Sequence, residues 1–392
     1  MKKLIAISVM LALVAGAVFA QVSGTVEARL FIVDATFDKN KNNEVTHGDI
    51  GAAYIQLSGT NEEGTLGGLF RFRNTDVVRD AAWFHRVFVW WRPIQQVRIF
   101  LGIDNDGMFD TASIAGWAFH SGDNDYMFNH HWDFWREIFP GNWDGFGLAL
   151  SFWPVQGLNI NLVIPTGGLG WPQSTLGQVR AKPQLKEIYP WGLRLQMSYA
   201  IPDIGTINFV YNLGDKDTDM GHYAYAPMTG SHFGRIGVSF LLTAIDSMNL
   251  LIGGSVVIPD KLNEEKGLRA HAGIAYTYSG TGWGIKVRFG YRYHDMKDEA
   301  AKDLQFINAN IMPIINAGGG QVMIDFGISA EPSRETNKFG WYLTPVFRYP
   351  IPGGKFSVGL QLYQNIQMGG NVTLTGDKNI HLRIPMLLSF GF

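Results

Sequence analysis

The chain has 392 residues, with 32 Lys and Arg against 34 Asp and Glu, for a formal net charge of −2. A balance this close to neutral argues against nucleic acid as a partner. With no cysteine, disulfides cannot staple the chain. Mean hydropathy of +0.01 with 13% aromatic residues is odd for a soluble protein of this size, and suits a closed sheet that is apolar outside and polar inside.

Lys2 and Lys3 precede an apolar run, Leu4 to Val18, followed by Phe19 and Ala20. Val18 and Ala20 suit the −3 and −1 positions of a signal-peptidase site, so residues 1–20 read as a signal peptide. The run is short for a span of about 20 residues, which disfavours an uncleaved anchor. No Cys follows it, which excludes a lipoprotein. Residues 21–392 contain no linker, charge block or low-complexity stretch, and read as one domain. No later segment reaches the length of a membrane helix.

Period-2 segments recur along this domain. Strands are expected near 24–36, 51–60, 65–77, 83–92, 97–104, 146–153, 158–166, 192–201 and 206–213. They continue near 232–243, 248–258, 268–279, 283–294, 304–315, 321–331, 340–350, 355–366 and 379–392. The connections after even strands are short and rich in Gly, Pro, Asn and Asp, as tight turns require. Those after odd strands are mostly longer and polar, with only 78–82 short. Alternating short and long connections are what a membrane barrel with turns on one side and loops on the other requires.

Several strands declare their two faces. Ile285, Val287, Phe289, Tyr291 and Tyr293 share one parity, and Lys286, Arg288, Gly290, Arg292 and His294 the other. A mid-bilayer Arg or Lys costs about 2–4 kcal/mol, so the cationic row faces inward and the lumen is wet. Val97, Ile99 and Leu101 alternate with Arg98, Phe100 and Gly102, and Phe70 and Phe72 with Arg71 and Arg73. The expected fold is all-β: a transmembrane antiparallel up-and-down β-barrel of about eighteen strands, with sixteen as the alternative. A β-sandwich or propeller competes, but no blade-length repeat supports it.

The last strand reads KNIHLRIPMLLSFGF, with Ile380, Leu382, Ile384, Met386, Leu388, Phe390 and Phe392 on one parity. A chain that ends on such an aromatic, behind a signal peptide, resembles the closing strand of a bacterial outer-membrane β-barrel. That resemblance implies an outer-membrane location, lipid around the barrel, and the barrel-assembly machinery as a partner.

The longest connection, 105–145, holds Asp106, Asp110, Asp123, Asp125, Asp133, Glu137 and Asp144 with one Arg136. It also carries Trp117, Trp132, Trp135 and Trp143. A loop this aromatic is expected to fold into the barrel and pack on the wall, where eighteen strands leave room for it. A long third loop folded inward to narrow the lumen resembles the outer-membrane porins. The resemblance implies that Asp123, Asp125, Asp133 and Glu137 face a cationic wall. Its candidates are Arg71, Arg73, Arg86, Arg92 and Arg98, with Lys286, Arg288 and Arg292 across the barrel. The implied function is passive diffusion of small hydrophilic solutes, without enzymatic activity. A homotrimer is set against a second loop, 78–82, too short to latch onto a neighbour. Trp83 and Trp90, with the loop tryptophans, permit a saccharide-selective channel with aromatic stacking.

In the first loop, Asp38, Asn40, Asn42 and Asp49 match EF-hand ligand positions 1, 3, 5 and 12, a candidate Ca²⁺ site flanked by strands rather than helices. His120, His130 and His131 lack the helical spacing of a zinc site. No nucleophile elbow or phosphate-binding glycine loop is present. A surface adhesin or barrel hydrolase is the remaining class. A fatty-acid transporter would need an N-terminal plug, and the first strand begins almost at Gln21.

Overall fold

The computed structural model describes residues 21–38, 43–74, 82–104, 135, 138, 145–165, 194–213, 232–259, 266–296, 304–332, 338–366, 374 and 378–392. The expected leader lies outside the described residues. Nineteen β segments form one antiparallel sheet. They are β1 (Gln21–Phe37), β2 (Glu44–Thr60), β3 (Leu66–Asn74), β4 (Ala82–Ile94), β5 (Val97–Asp104), β6 (Gly145–Phe152), β7 (Leu158–Pro165), β8 (Arg194–Ile201), β9 (Gly205–Leu213) and β10 (His232–Leu242). They continue as β11 (Met248–Pro259), β12 (Lys266–Ser279), β13 (Trp283–Met296), β14 (Leu304–Ala317), β15 (Gly320–Glu331), β16 (Lys338–Ile351), β17 (Gly354–Gly359), β18 (Gln361–Gln364) and β19 (Ile380–Gly391).

Apart from β17 and β18, which both lie between β16 and β19, each segment pairs with its chain neighbours, and β1 pairs with both β2 and β19, so the sheet closes and has no edge. At the seam the Gly24 N–H donates to the Phe392 carbonyl at 2.8 Å, and the Phe392 N–H donates back at 2.9 Å. The Phe392 ring covers the Cα of Gly24, where no side chain stands in the way.

Segments β17 and β18 share one register between β16 and β19, so they are halves of one strand and the barrel has eighteen strands. The expected strand over 355–366 breaks at Leu360 for a chemical reason. Leu360 falls opposite Pro345, and Gly359 opposite Pro385, and neither proline has an N–H to give the ladder. The same row continues sideways. Pro345 pairs with Ile324, which the register sets opposite Pro313. On the other flank Pro385 pairs with Phe31, beside the bulge at Ile32. Three prolines and a bulge thus align across β14 to β1.

The alternation is as the sequence implies. On β15, Ile324, Phe326 and Ile328 face outward while Asp325, Gly327, Ser329 and Glu331 are buried within. On β5, Leu101 is 54% exposed and Phe100 only 2%. The outer surface is an apolar belt, which hydrocarbon solvates and water does not. The bulge at Ile32 shifts the parity of β1, so Glu27, Arg29 and Phe31 point inward, and then Asp34.

Connections on one rim span two to five residues, and on the other six or more. The expected short connection at 78–82 falls outside the described residues apart from Ala82, where β4 begins. Short turns use the backbone freedom they need. Gly318 and Gly319 have φ of +61° and +76°, as a two-residue type I′ hairpin requires. The Asn61 carboxamide oxygen accepts the N–H groups of Thr65 and Leu66 at 2.8 and 2.9 Å.

Candidate functional site: the lumen

The inward parity of the strands lines the barrel with three chemically different walls. The first runs from β1 to β6 and is cationic and aromatic. Glu27 and Arg29 form an ion pair two residues apart on one face of β1. The Tyr54 hydroxyl donates to Glu27 Oε2 at 2.9 Å. Arg71 Nε donates to Gln56 Oε1 at 2.7 Å, with its guanidinium 4.6 Å from the Tyr54 ring centre. Further along, the Arg98 guanidinium lies 4.9 Å from the Trp90 ring, 5.3 Å from Trp153 and 5.5 Å from Phe100. Arg92 lies 5.1 Å from Trp153. Stacking occupies the faces of a guanidinium and leaves its N–H groups to bond at its edge.

The second wall, β6 to β11, carries paired neutral amides and hydroxyls, and its strands also bear Arg194 and Arg235 at the parity of Gln196 and Ser239. Ser151 donates to Asn161 Oδ1 at 2.6 Å, and Gln196 to Asn208 Oδ1 at 3.1 Å.

The third wall, β12 to β19, carries a buried relay. Arg288 Nε donates to Asn310 Oδ1 at 2.6 Å, and Asn310 Nδ2 donates to Asp325 Oδ1 at 2.7 Å. One amide therefore links opposite charges on β13 and β15. Near the seam Arg383 donates to Asp34 Oδ2 at 2.7 Å. His381 stacks on Tyr363 at 4.9 Å and meets the Thr36 hydroxyl at 3.1 Å.

Two residues of the 105–145 connection rest on this third wall. Trp135 is 2% exposed and Ile138 is fully buried. They pack in one apolar cluster with Leu251, Ala275, Phe306, Tyr342, Tyr363, Ile366 and Leu374. Arg288 lies 4.9 Å from the Trp135 ring, and Ile138 sits against Gly273 of β12. On β12 the parity of Gly273 is that of the buried His271 and Ala275, so Ile138 lies on the inner surface.

The expected site residues separate accordingly. Arg92 and Arg98 stand together on the first wall over Trp153, and Arg71 lies on the same wall about six residues further from the short-turn rim, opposite Arg86. Arg73 and Arg86 lie on β3 and β4, with Arg86 opposite Asp104 in the pairing. Arg288 and Arg292 are buried, Arg288 beneath Trp135 and Arg292 over Phe306, rather than lining open water. Lys286 is on the same inward parity. Asp123, Asp125, Asp133, Glu137, Trp117, Trp132 and Trp143 lie outside the described residues. Of the calcium set, Asn40 and Asn42 also lie outside them. Asp38 follows the end of β1, whereas Asp49 is inside β2 opposite Phe31, roughly 20 Å away at about 3.4 Å per residue. The twelve-residue spacing is therefore not wound into one loop. Among the described residues no group of three His, Asp or Glu is placed to hold a metal.

Sequence reasoning passed over Tyr54, the Asp34–Arg383 pair and Asp325, although strand parity marks Asp325 for the lumen. Nothing in the sequence distinguishes Leu374.

No family model matches the chain, and no curated protein matches it. Solved structures do. Salmonella typhi OmpF, in complex with daunomycin, superposes with a TM-score of 0.55 at 9% identity, covering 95% of this chain and 97% of that one. Pseudomonas aeruginosa OccK5 gives 0.55 at 9%, covering 96% and 99%. An anion-selective porin from Comamonas acidovorans gives 0.50 at 10%, covering 94% and 100%. At such identities the likeness is one of fold, and it extends over nearly the whole chain. Eighteen closed strands, an apolar exterior, a charged interior and these neighbours agree: the chain has the fold of the bacterial outer-membrane porins.

Proposed function

We propose that the protein is a passive outer-membrane channel, through which small hydrophilic solutes and ions diffuse, with no catalytic role. One observation carries the reading most directly. Trp135 and Ile138, from the longest connection, are buried against the inner wall of a barrel whose opposite wall presents Arg71, Arg92 and Arg98. On this reading residues 105–145 narrow the lumen, and the acids Asp123, Asp125, Asp133 and Glu137 face the first wall. Ions then cross a transverse field, and apolar solutes are rejected because they break hydrogen bonds of ordered water without replacing them.

The saccharide reading draws less support. The Trp90 and Trp153 faces are shared with Arg98, and Trp135 is pressed on the wall. Any Ca²⁺ in the first loop would have to be held by Asp38, Asn40 and Asn42 without Asp49.

Planar-bilayer recording of the refolded protein tests the proposal. Discrete conductance steps, with a reversal potential in a salt gradient that responds to substitution of Arg71 and Arg98, are expected. A correctly folded barrel that passes no current would overturn it.

A further inference from the structure

Leu374 belongs to the connection between β18 and β19, on the long-loop rim, yet it is 2% exposed and packs with Trp135 and Ile138. It is held by its backbone. Its N–H donates to Glu331 Oε1 at 3.2 Å, and its carbonyl accepts from Lys338 Nζ at 3.3 Å. Glu331 and Lys338 face each other across β15 and β16, 3.6 Å apart. An opposite-charge pair thus grips the two ends of one peptide residue, each charge on the backbone group of matching polarity. The flanks are tied as well. Gln364 donates to the Lys378 carbonyl at 2.6 Å, and Asn365 to the Phe339 carbonyl at 2.7 Å.

Such bonding is unusual for a connection of fifteen residues, since a free loop would keep its conformational entropy in water. The ordering is offset by what Leu374 touches: the same apolar cluster that takes Trp135 and Ile138. We infer that Leu374, carried on the Glu331–Lys338 pair, is a positioning residue. It completes the pocket that keeps Trp135 and Ile138 on the wall, and so sets the channel's open width from a second connection. The inference rests on the reading that residues 105–145 narrow the lumen. The solute is unchanged by it. What it adds is that the width responds to the chain on the opposite side of the sequence.

The absence of cysteine gives a clean probe. An Ile138→Cys variant of the full chain, refolded in lipid, is labelled with a charged methanethiosulfonate. Labelling should be slow in this background. It should accelerate at least tenfold when Leu374→Ala or Lys338→Met is added, and return to within about twofold with Leu374→Met. Single-channel conductance of Leu374→Ala should shift in the same direction as that of Trp135→Ala. Fast labelling of Ile138→Cys alone, or equal rates with and without the Leu374 and Lys338 changes, overturns the inference. The narrowing reading fails separately, if Trp135→Ala leaves conductance unchanged while Leu374→Ala still accelerates labelling. Lys338→Met keeps the test decisive should Leu374→Ala not assemble.

Discussion

Replacing Arg288 by Met should destabilise the barrel by about 4–6 kcal/mol, far more than its loss as a side chain would suggest. The charge it balances is Asp325, which is 1% exposed and linked to it through Asn310. Removing one partner of a buried pair costs about 3–5 kcal/mol, because the other charge is left without compensation. The Trp135 ring adds roughly 1 kcal/mol as a desolvated cation–π contact at 4.9 Å. Asp325→Asn should cost less, about 2–3 kcal/mol, since Arg288 keeps Trp135 and the Asn310 carbonyl. The double variant carries neither charge and should cost only about 2–3 kcal/mol in all. The cycle therefore predicts a coupling of roughly 5 kcal/mol between the two sites. Reversible urea unfolding in lipid vesicles, with matched denaturant slopes, measures all four proteins. Additivity within about 0.5 kcal/mol would show that the charges do not sense each other through Asn310, and the relay would be rejected.

Other outcomes follow from the same geometry. Replacing Arg71 and Arg98 with Gln should move selectivity towards cations, and amides at Asp123, Asp125, Asp133 and Glu137 should move it towards anions. Each charge about 5 Å from the ion path should change the permeability ratio by roughly two- to fivefold at 0.1 M salt, and by less than twofold at 1 M, as read from reversal potentials. No shift from either set would place the constriction elsewhere. Deleting Phe392 removes two seam hydrogen bonds and the ring over Gly24, and should lower outer-membrane yield under native expression. Unchanged yield would contradict that role. In the first loop, calorimetry with Asp49→Ala should give the same calcium heats as the parent, because Asp49 is remote from Asp38. A difference between them would mean that β2 does not begin at Glu44.

The architecture was legible because a membrane barrel writes itself at short range. Alternation in residues such as Lys286 to Arg292 and turn residues such as Gly318-Gly319 act within a few positions, and all eighteen strands follow from them. The site was legible only in part. The inward parity of Arg71, Arg92 and Arg98 is local information. That Arg288 would lie under Trp135, and not beside open water, depends on where a distant connection lands. Leu374 shows the same limit, since its burial is decided by Glu331 and Lys338, some forty positions away in the chain. The break at Leu360 shows it at closer quarters. Nothing in its own segment forbids a continuous strand, and the cause lies in the prolines of the two flanking strands.

That row of prolines has a mechanical consequence. A barrel wall resists shear through its ladder of hydrogen bonds, and Pro313, Pro345 and Pro385 remove rungs at one height, next to the bulge at Ile32. From β14 to β1 the wall is therefore a laminate with a compliant line in it. Above the line stand Asp325 and the pocket for Trp135; below it Met323, Val346 and Leu387 pack against one another as a separate apolar unit. Amide exchange in this sector should begin at mid-height, beside the prolines, as well as at the rims. A change in bilayer thickness is expected to tilt the wall along this line, next to the pocket that takes Trp135.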